Sequence, residues 1–407
     1  MFVIWVVGVI SIATLAGSAL PATYQGKNDM TALVRGNNAF AFDLYGKLRE
    51  GNGNLFFSPY SISTALAMTY AGAREQTAAE MAKTLHFAVD QEHLPSAYQS
   101  LLAAVNGKGK PRSFQLYTAN ALWGQKGYYF QPDFLKLTQD YYGGSLREVD
   151  FRNATEQARQ IINRWVEEQT NNKIQELLKP GAVQPTTPLV LTNAIYFKAA
   201  WMEEFWEAAT KPEAFHLTAE KEAKVPMMHK TEACNFLDDS EFQMLALPYE
   251  RHQLSLLVLL PKKVDGLADL EKSLSAEKLE GWLPKMKSYQ VEISLPKFKM
   301  TASFELKDVL SALGMPMAFS PRADFTGITT TPPGIMIGQV IHKAYVDVNE
   351  KGTEAAAATA VVALPKGVPA QPPLRAVFRA DHPFVFAIRD NQTGSILFLG
   401  RVTNPQG

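Results

Sequence analysis

The hydrophobic period changes near the middle of this 407-residue chain. In the first half, apolar residues recur at helical spacing. "NNAFAFDLYGKLRE" places Phe40, Leu44 and Leu48 four residues apart, which gives one apolar face. "SISTALAMTYAGA" reads as a buried helix led by Ser58 and Pro59, a capping residue followed by a first-turn proline. "TAAEMAKTL" reads as a short amphipathic helix capped by Thr77, and "EQARQIINRWVEEQTNNKIQELL" as a longer one stopped by Lys179-Pro180-Gly181. Strand signals then take over. "PLVLTNAIYF" is almost unbroken apolar sequence, expected of a strand covered on both faces. "QMLALPYE" and "LSLLVLLP" read as a hairpin, and "YQVEISLPKFKM" and "HKAYVDVNE" alternate. "PFVFAIRD" and "SILFLGRV" flank a tight polar turn. With no fixed-period repeat and no low-complexity linker, the pattern predicts an α+β fold with one interlocked core.

Bulk properties narrow the function. The chain is 46% hydrophobic and 20% charged, as expected for a globular protein with a large core. Lys+Arg and Asp+Glu both number 40, so no overall field favours nucleic acid or an anionic membrane. One cysteine, Cys234, excludes an internal disulfide and reads as a small apolar side chain. The uncharged start "MFVIWVVGVISIATLAGSALPATYQ" has the length of a signal-peptide core followed by small residues. It predicts residues 1–22 as a signal peptide, residues 23–407 as the mature domain, and a secreted (extracellular or periplasmic) protein. An uncleaved membrane anchor is the alternative.

The chemistry of an enzyme is not legible. The seven histidines are scattered, with no HExxH, and no GxSxG elbow, P-loop or GxGxxG occurs. No catalytic residue, metal site or cofactor is expected. Lys108, Lys110 and Arg112 form the one compact basic cluster, read as a solvated loop. Asn153 and Asn391 begin glycosylation sequons, which matter only in a eukaryotic secretory route. One segment fits neither period. "NEKGTEAAAATAVVALPKGVPAQPPL" (Asn349 to Leu374) has no helical stripe and no clean alternation, yet is too apolar for a solvated linker.

Several stretches, in order and at matching spacing, resemble the serpin superfamily. They are "NLFFSPYSISTALAMTYAGA", "TNAIYFKAAWMEEF", "LPKFKM", "FTGIT", "IHKAYVDVNEKGTEAAAATA" and "ADHPFVFAIRDNQTGSILFLGRVTNP". The likeness runs from about residue 30 to 405 and implies the α+β serpin fold, with about nine helices and three β-sheets. The odd segment, about residues 350–374, would then be an exposed reactive-centre loop that inserts into the large sheet as a new strand.

That role accounts for the composition. Ala355, Ala356, Ala357 and Ala358 are small enough to pass between parting strands, and Gly352 lets the backbone swing. Thr353, Thr359, Val361 and Val362 favour the extended form. Glu354 falls on the opposite face from Thr353 and Ala355, where the resemblance implies that it stays exposed. No proline, charge-laden or bulky hinge residue points to a non-inhibitory carrier, chaperone or storage serpin, which is the alternative function.

Counting from Glu350, the family's rule puts the scissile residue at the seventeenth position, Lys366, and the reactive bond at Lys366–Gly367. Lysine suits the acidic pocket of a trypsin-like serine protease. Leu364 is the alternative bait, for chymotrypsin- or elastase-like enzymes, because the lengthened, proline-rich downstream segment leaves the register open. The implied mechanism is suicide inhibition by a monomer, with a papain-like cysteine protease as a possible second target. The resemblance also assigns Ser58, Ser61, Asn193 and His342 to a polar shutter under the sheet. Trp201, Lys297 and Glu350 fall at the breach where the loop first inserts.

Overall fold

The computed structural model describes residues 22–107, 112–354 and 374–407. Among them are nine α-helices and fifteen strands, with helices prevailing before Leu189 and strands after it, as the change of period predicts. A six-stranded sheet runs in the order Phe298–Glu305, Gln339–Asn349, Gly352–Thr353, Leu189–Ala200, Phe114–Gln125, Leu146–Val149. A second sheet holds nine strands. The three expected sheets appear as two continuous ladders because Glu222–Asp238 is long enough to serve three partners. Its residues 227–236 pair with 287–296, and 235–238 pair with 243–246.

The two sheets enclose the main core. Helix Pro59–Ala71 lies against strands of both sheets and is buried along almost its whole length. Ser58 caps it as expected, its side chain accepting from the Ser61 N–H. A second apolar cluster covers the other face of the six-stranded sheet. There Ile162 and Val166, from helix Thr155–Gln169, pack with Ala194, Tyr196, Ile341 and Tyr345. Coverage on both faces explains why Leu189–Ala200 is apolar almost without break.

Several local expectations are corrected. Helix Thr155–Gln169 ends well before Lys179. Asn171 and Asn172 adopt left-handed φ values of 49° and 59°, and Asn163 binds both backbone groups of Leu178 at 2.8 and 2.9 Å. The side chain satisfies the peptide that helical bonds would have used. Thr77 does not cap its helix, Glu75–Thr84; it lies inside it and accepts from the Asp324 N–H at 2.9 Å. "YQVEISLPKFKM" is divided between the two sheets at Lys297, into Lys287–Pro296 and Phe298–Glu305. Arg112 is not a solvated loop residue: its side chain is nearly buried, 3.6 Å from the Asp390 carboxylate. Cys234 is buried as expected, and burial pushes its thiol pKa up to about 12.

Candidate functional site

The site is a fork in the six-stranded sheet. Strands 189–200 and 339–349 run parallel and pair directly from Gln339↔Val190 to Tyr345↔Tyr196. Beyond that rung they part, and Gly352–Thr353 lies between them. It pairs antiparallel with Val348 and Asn349 on one side and with Ala199 and Ala200 on the other. Gly352 is required there by close approach. Its φ is +150°, and a Cβ would fall 2.1 Å from the Ala199 carbonyl oxygen. Thr353 is fully buried, with its hydroxyl 2.8 Å from the Tyr249 hydroxyl.

Glu354 differs from expectation. It turns out of the strand with φ 46°, its N–H donates to the Asp347 carbonyl at 2.8 Å, and its carboxylate pairs with Lys173. Only 17% of the side chain is exposed, because the Lys173 pairing draws it against the sheet face.

The upper end of the fork is held by side chains from three elements. Lys297, at the break between the sheets, lies 2.8 Å from the Glu350 carboxylate, whose other oxygen accepts from Thr210 at 2.8 Å. Burial alone would raise the Glu350 pKa. The hydrogen bonds from Lys297 and Thr210 and the Lys297 charge outweigh it, so the carboxyl titrates below its usual range. Trp201 grips the adjoining backbone. Its N–H donates to the Lys351 carbonyl and its indole Nε1 to the Asn349 carbonyl at 2.9 Å.

Lys297→Met is expected to cost about 1 kcal/mol, because the pair is partly solvated. The contribution of Glu350 is present above the ordinary carboxylate range and lost as pH falls through its lowered value. Urea melts of wild type and variant should therefore converge at acid pH. A constant gap would show that the pair does not contribute through charge.

Below the fork lies a buried polar network. His342 Nε2 accepts from the Ser58 N–H at 3.1 Å, and Nδ1 donates to Asn193 Oδ1. The Asn193 amide donates to Ser61 Oγ at 2.6 Å and to Asn120 Oδ1. Ser58 Oγ donates to the Leu397 carbonyl at 2.6 Å. Burial depresses the His342 pKa to about 3, so the ring is neutral at physiological pH.

Ser58, Ser61, Asn193 and His342 therefore form one cluster, and Trp201, Lys297 and Glu350 another, about the two ends of the parting strands. Ala355 to Ala358, Leu364, Lys366 and Gly367 lie outside the described residues, as do residues 1–21 of the expected leader. Sequence reading missed Asn120, Thr210, Tyr249 and Lys173, which complete the contacts above. Lys173 was placed inside a helix that ends at Gln169. None of the four has a local signal, because each partner is distant in sequence.

Among the described residues, no group of three or more His, Cys, Asp or Glu could hold a metal ion.

The family model described as Serpin (serine protease inhibitor) matches residues 35–405. The leukocyte elastase inhibitor of Bos taurus is 44% identical over 387 residues, covering 92% of this chain and all of that one. The human leukocyte elastase inhibitor is 43% identical over 393 residues, again covering 92% and 100%. A serpin-like protein of Thermococcus kodakarensis is 43% identical over 375 residues, 92% of this chain and 86% of its own. The crystal structure of uncleaved ovalbumin superposes with a TM-score of 0.82 at 30% identity, covering 92% of this chain and 100% of that one.

The expected secretion is corrected by these relatives. The matched leukocyte elastase inhibitors do not support a secreted assignment for this chain. Among the described residues no helix is long and apolar enough to cross a membrane. A two-residue strand poised in a forked sheet, polar clusters at both ends of the fork and the matched family model converge: the chain belongs to the serpin family of serine protease inhibitors.

Proposed function

We propose that this protein inhibits a trypsin-like serine protease as a suicide substrate, with Lys366 as bait. The protease serine Oγ attacks the Lys366 carbonyl carbon, and the Lys366–Gly367 C–N bond breaks. The new Gly367 amine takes the proton, and Lys366 remains as an ester on the protease. The freed loop then enters the fork behind Thr353 before water can cleave the ester. From Thr353 to Lys366 is about 14 residues, or roughly 45 Å of strand at about 3.3 Å per residue. Insertion would drag the tethered protease most of a domain length. Displacing catalytic groups by about 1 Å costs on the order of a hundredfold in rate, enough to strand the acyl-enzyme.

The observation that carries this reading is the hinge. Gly352–Thr353 already occupies the fork as a strand, and the sequence behind it, Ala355 to Val362, is small or β-branched. The shutter at His342 and Asn193 and the breach at Glu350, Lys297 and Trp201 are assigned the role of holding the fork until cleavage.

A second reading is favoured by the relatives' names. Relatives at 43–44% identity include leukocyte elastase inhibitors of five species, and Leu364 would suit an elastase- or chymotrypsin-like pocket.

Incubation with trypsin, read on a denaturing gel and by intact mass, tests both. An adduct at the summed mass less a C-terminal peptide starting at Gly367 supports Lys366. Adducts only with elastase or chymotrypsin move the bait to Leu364. Cleavage without any adduct would make the protein a non-inhibitory serpin.

A further inference from the structure

The fork has a side-chain latch at its closed end. Lys173, in the segment after helix Thr155–Gln169, pairs with the Glu354 carboxylate of the hinge. Its Nζ also lies 5.9 Å from the ring centroids of both Tyr196 and Tyr345. These two tyrosines face each other across the last directly paired rung of the parallel strands, with ring centroids 5.9 Å apart. Tyr196 stacks in turn on Tyr117 at 5.3 Å, and Lys299 lies 5.4 Å from the Tyr345 ring. One ammonium group thus spans both sides of the seam and the tip of the hinge. Burial, then the Glu354 charge, raises the Tyr196 pKa, so the hydroxyl stays neutral beside the pair.

The register shows why that rung matters. Thr353 is opposite Val348 on one strand and Ala199 on the other. If the same antiparallel count continued on insertion, Ala356 would come opposite Tyr345 and Tyr196 together. The tyrosine rung is therefore the first closed rung that an advancing loop must split. Splitting it moves the two strands from adjacent to next-but-one neighbours, from about 4.8 Å to about 9.6 Å apart. The side chain of the incoming residue, on the same face, would then stand between the two rings and end their direct contact.

We propose that Lys173 is a positioning residue for loop insertion. It holds Glu354 at the mouth of the seam and clasps Tyr196 to Tyr345, so that the seam opens only when cleavage frees the loop to displace it. This rests on the suicide-substrate reading above. The consequence is kinetic. Removing the latch lowers the barrier to insertion and leaves the first encounter with the protease unchanged, because Lys173 acts on the hinge at Glu354, twelve residues before Lys366 in the sequence.

The test uses the full chain and the variants Lys173→Ala, Lys173→Arg and Glu354→Gln. Sheet opening is measured first without protease, as the rate at which a synthetic peptide of residues 353–364 anneals to the uncleaved protein. Lys173→Ala should anneal about five- to tenfold faster, equivalent to roughly 1–1.4 kcal/mol of barrier. Glu354→Gln should show a smaller acceleration, and Lys173→Arg should stay near wild type because it keeps the charge and stacks on the same rings. The second readout is the protease reaction. The association rate constant should be unchanged, while insertion after acylation is faster and less protein is consumed per protease trapped. Annealing at the wild-type rate in Lys173→Ala, with the variant folded by urea melt, would overturn the latch. Failure of the wild type to trap any protease would overturn the suicide-substrate reading instead, and the annealing result would still decide whether Lys173 clasps the seam.

Discussion

Thr353→Arg is expected to convert the protein from an inhibitor into a substrate of its protease. Thr353 is fully buried between Ala199 and Val348, and its hydroxyl meets Tyr249, which stacks on Trp201 with ring centroids 4.5 Å apart. Arginine at this rung either forces the hinge out of the fork or carries an unpaired charge into an aromatic, dehydrated site. The latter costs at least several kcal/mol even after relaxation. The protein itself should still fold, because an expelled hinge leaves the two sheets and their cores in place. After cleavage, however, the loop would stall at the fork while water hydrolyses the ester.

At about 1.4 kcal/mol per tenfold, the amount of protein consumed per protease inhibited should rise by at least about a hundredfold. The adduct band should give way to cleaved protein and free, active protease. Thr353→Ser, which keeps the hydroxyl and the small volume, should inhibit like wild type. An unchanged adduct yield in Thr353→Arg would mean that insertion does not begin at this rung.

His342→Ala should have the largest effect on the uncleaved protein. The ring connects the start of helix Pro59–Ala71, through the Ser58 N–H, to Asn193 on the neighbouring strand. Deleting it leaves a buried donor at Ser58 and a buried acceptor at Asn193 without partners. Each such loss costs about 1–3 kcal/mol, and the vacated volume adds to it. A total of about 3–5 kcal/mol should lower the urea midpoint and accelerate spontaneous inactivation on warming.

The pH dependence has a definite sign. The His342 pKa is depressed to about 3 in the fold, against about 6.5 in an unfolded chain. Between those values the unfolded state binds the extra proton. The contribution of the neutral ring is therefore intact above about pH 6.5. It is lost at up to about 1.4 kcal/mol per pH unit as pH falls toward 3. In His342→Gln this component of the slope should disappear. A slope identical to wild type between pH 6 and 4 would show that His342 titrates normally and is not sealed under the sheet.

Legibility in the sequence followed the range of the interactions. Ser58 and Pro59 announced their helix because a cap and a first-turn proline act within three residues, and Leu189–Ala200 announced itself as a strand because burial on both faces writes every position apolar. The polar site residues were singled out by family likeness, since Asn193 and His342 give no sign of each other across 149 positions. Local reading failed where a distant partner had taken over a local role. Asn163 bonding Leu178 ended a helix that periodicity would have continued, and the Thr77 hydroxyl accepts from the Asp324 N–H instead of capping.

By itself the sequence determined the α+β partition, the covered central strand and a hinge of small residues suited to entering a sheet. These follow from side-chain size and period, which are properties of neighbouring residues. Only the tertiary structure decided where the sheet forks, that Gly352 and Thr353 already occupy the fork, and that Lys173 and Tyr249 meet the hinge there. Those features depend on the register between strands more than a hundred residues apart. Pairing energy fixes that register only once the two strands lie side by side.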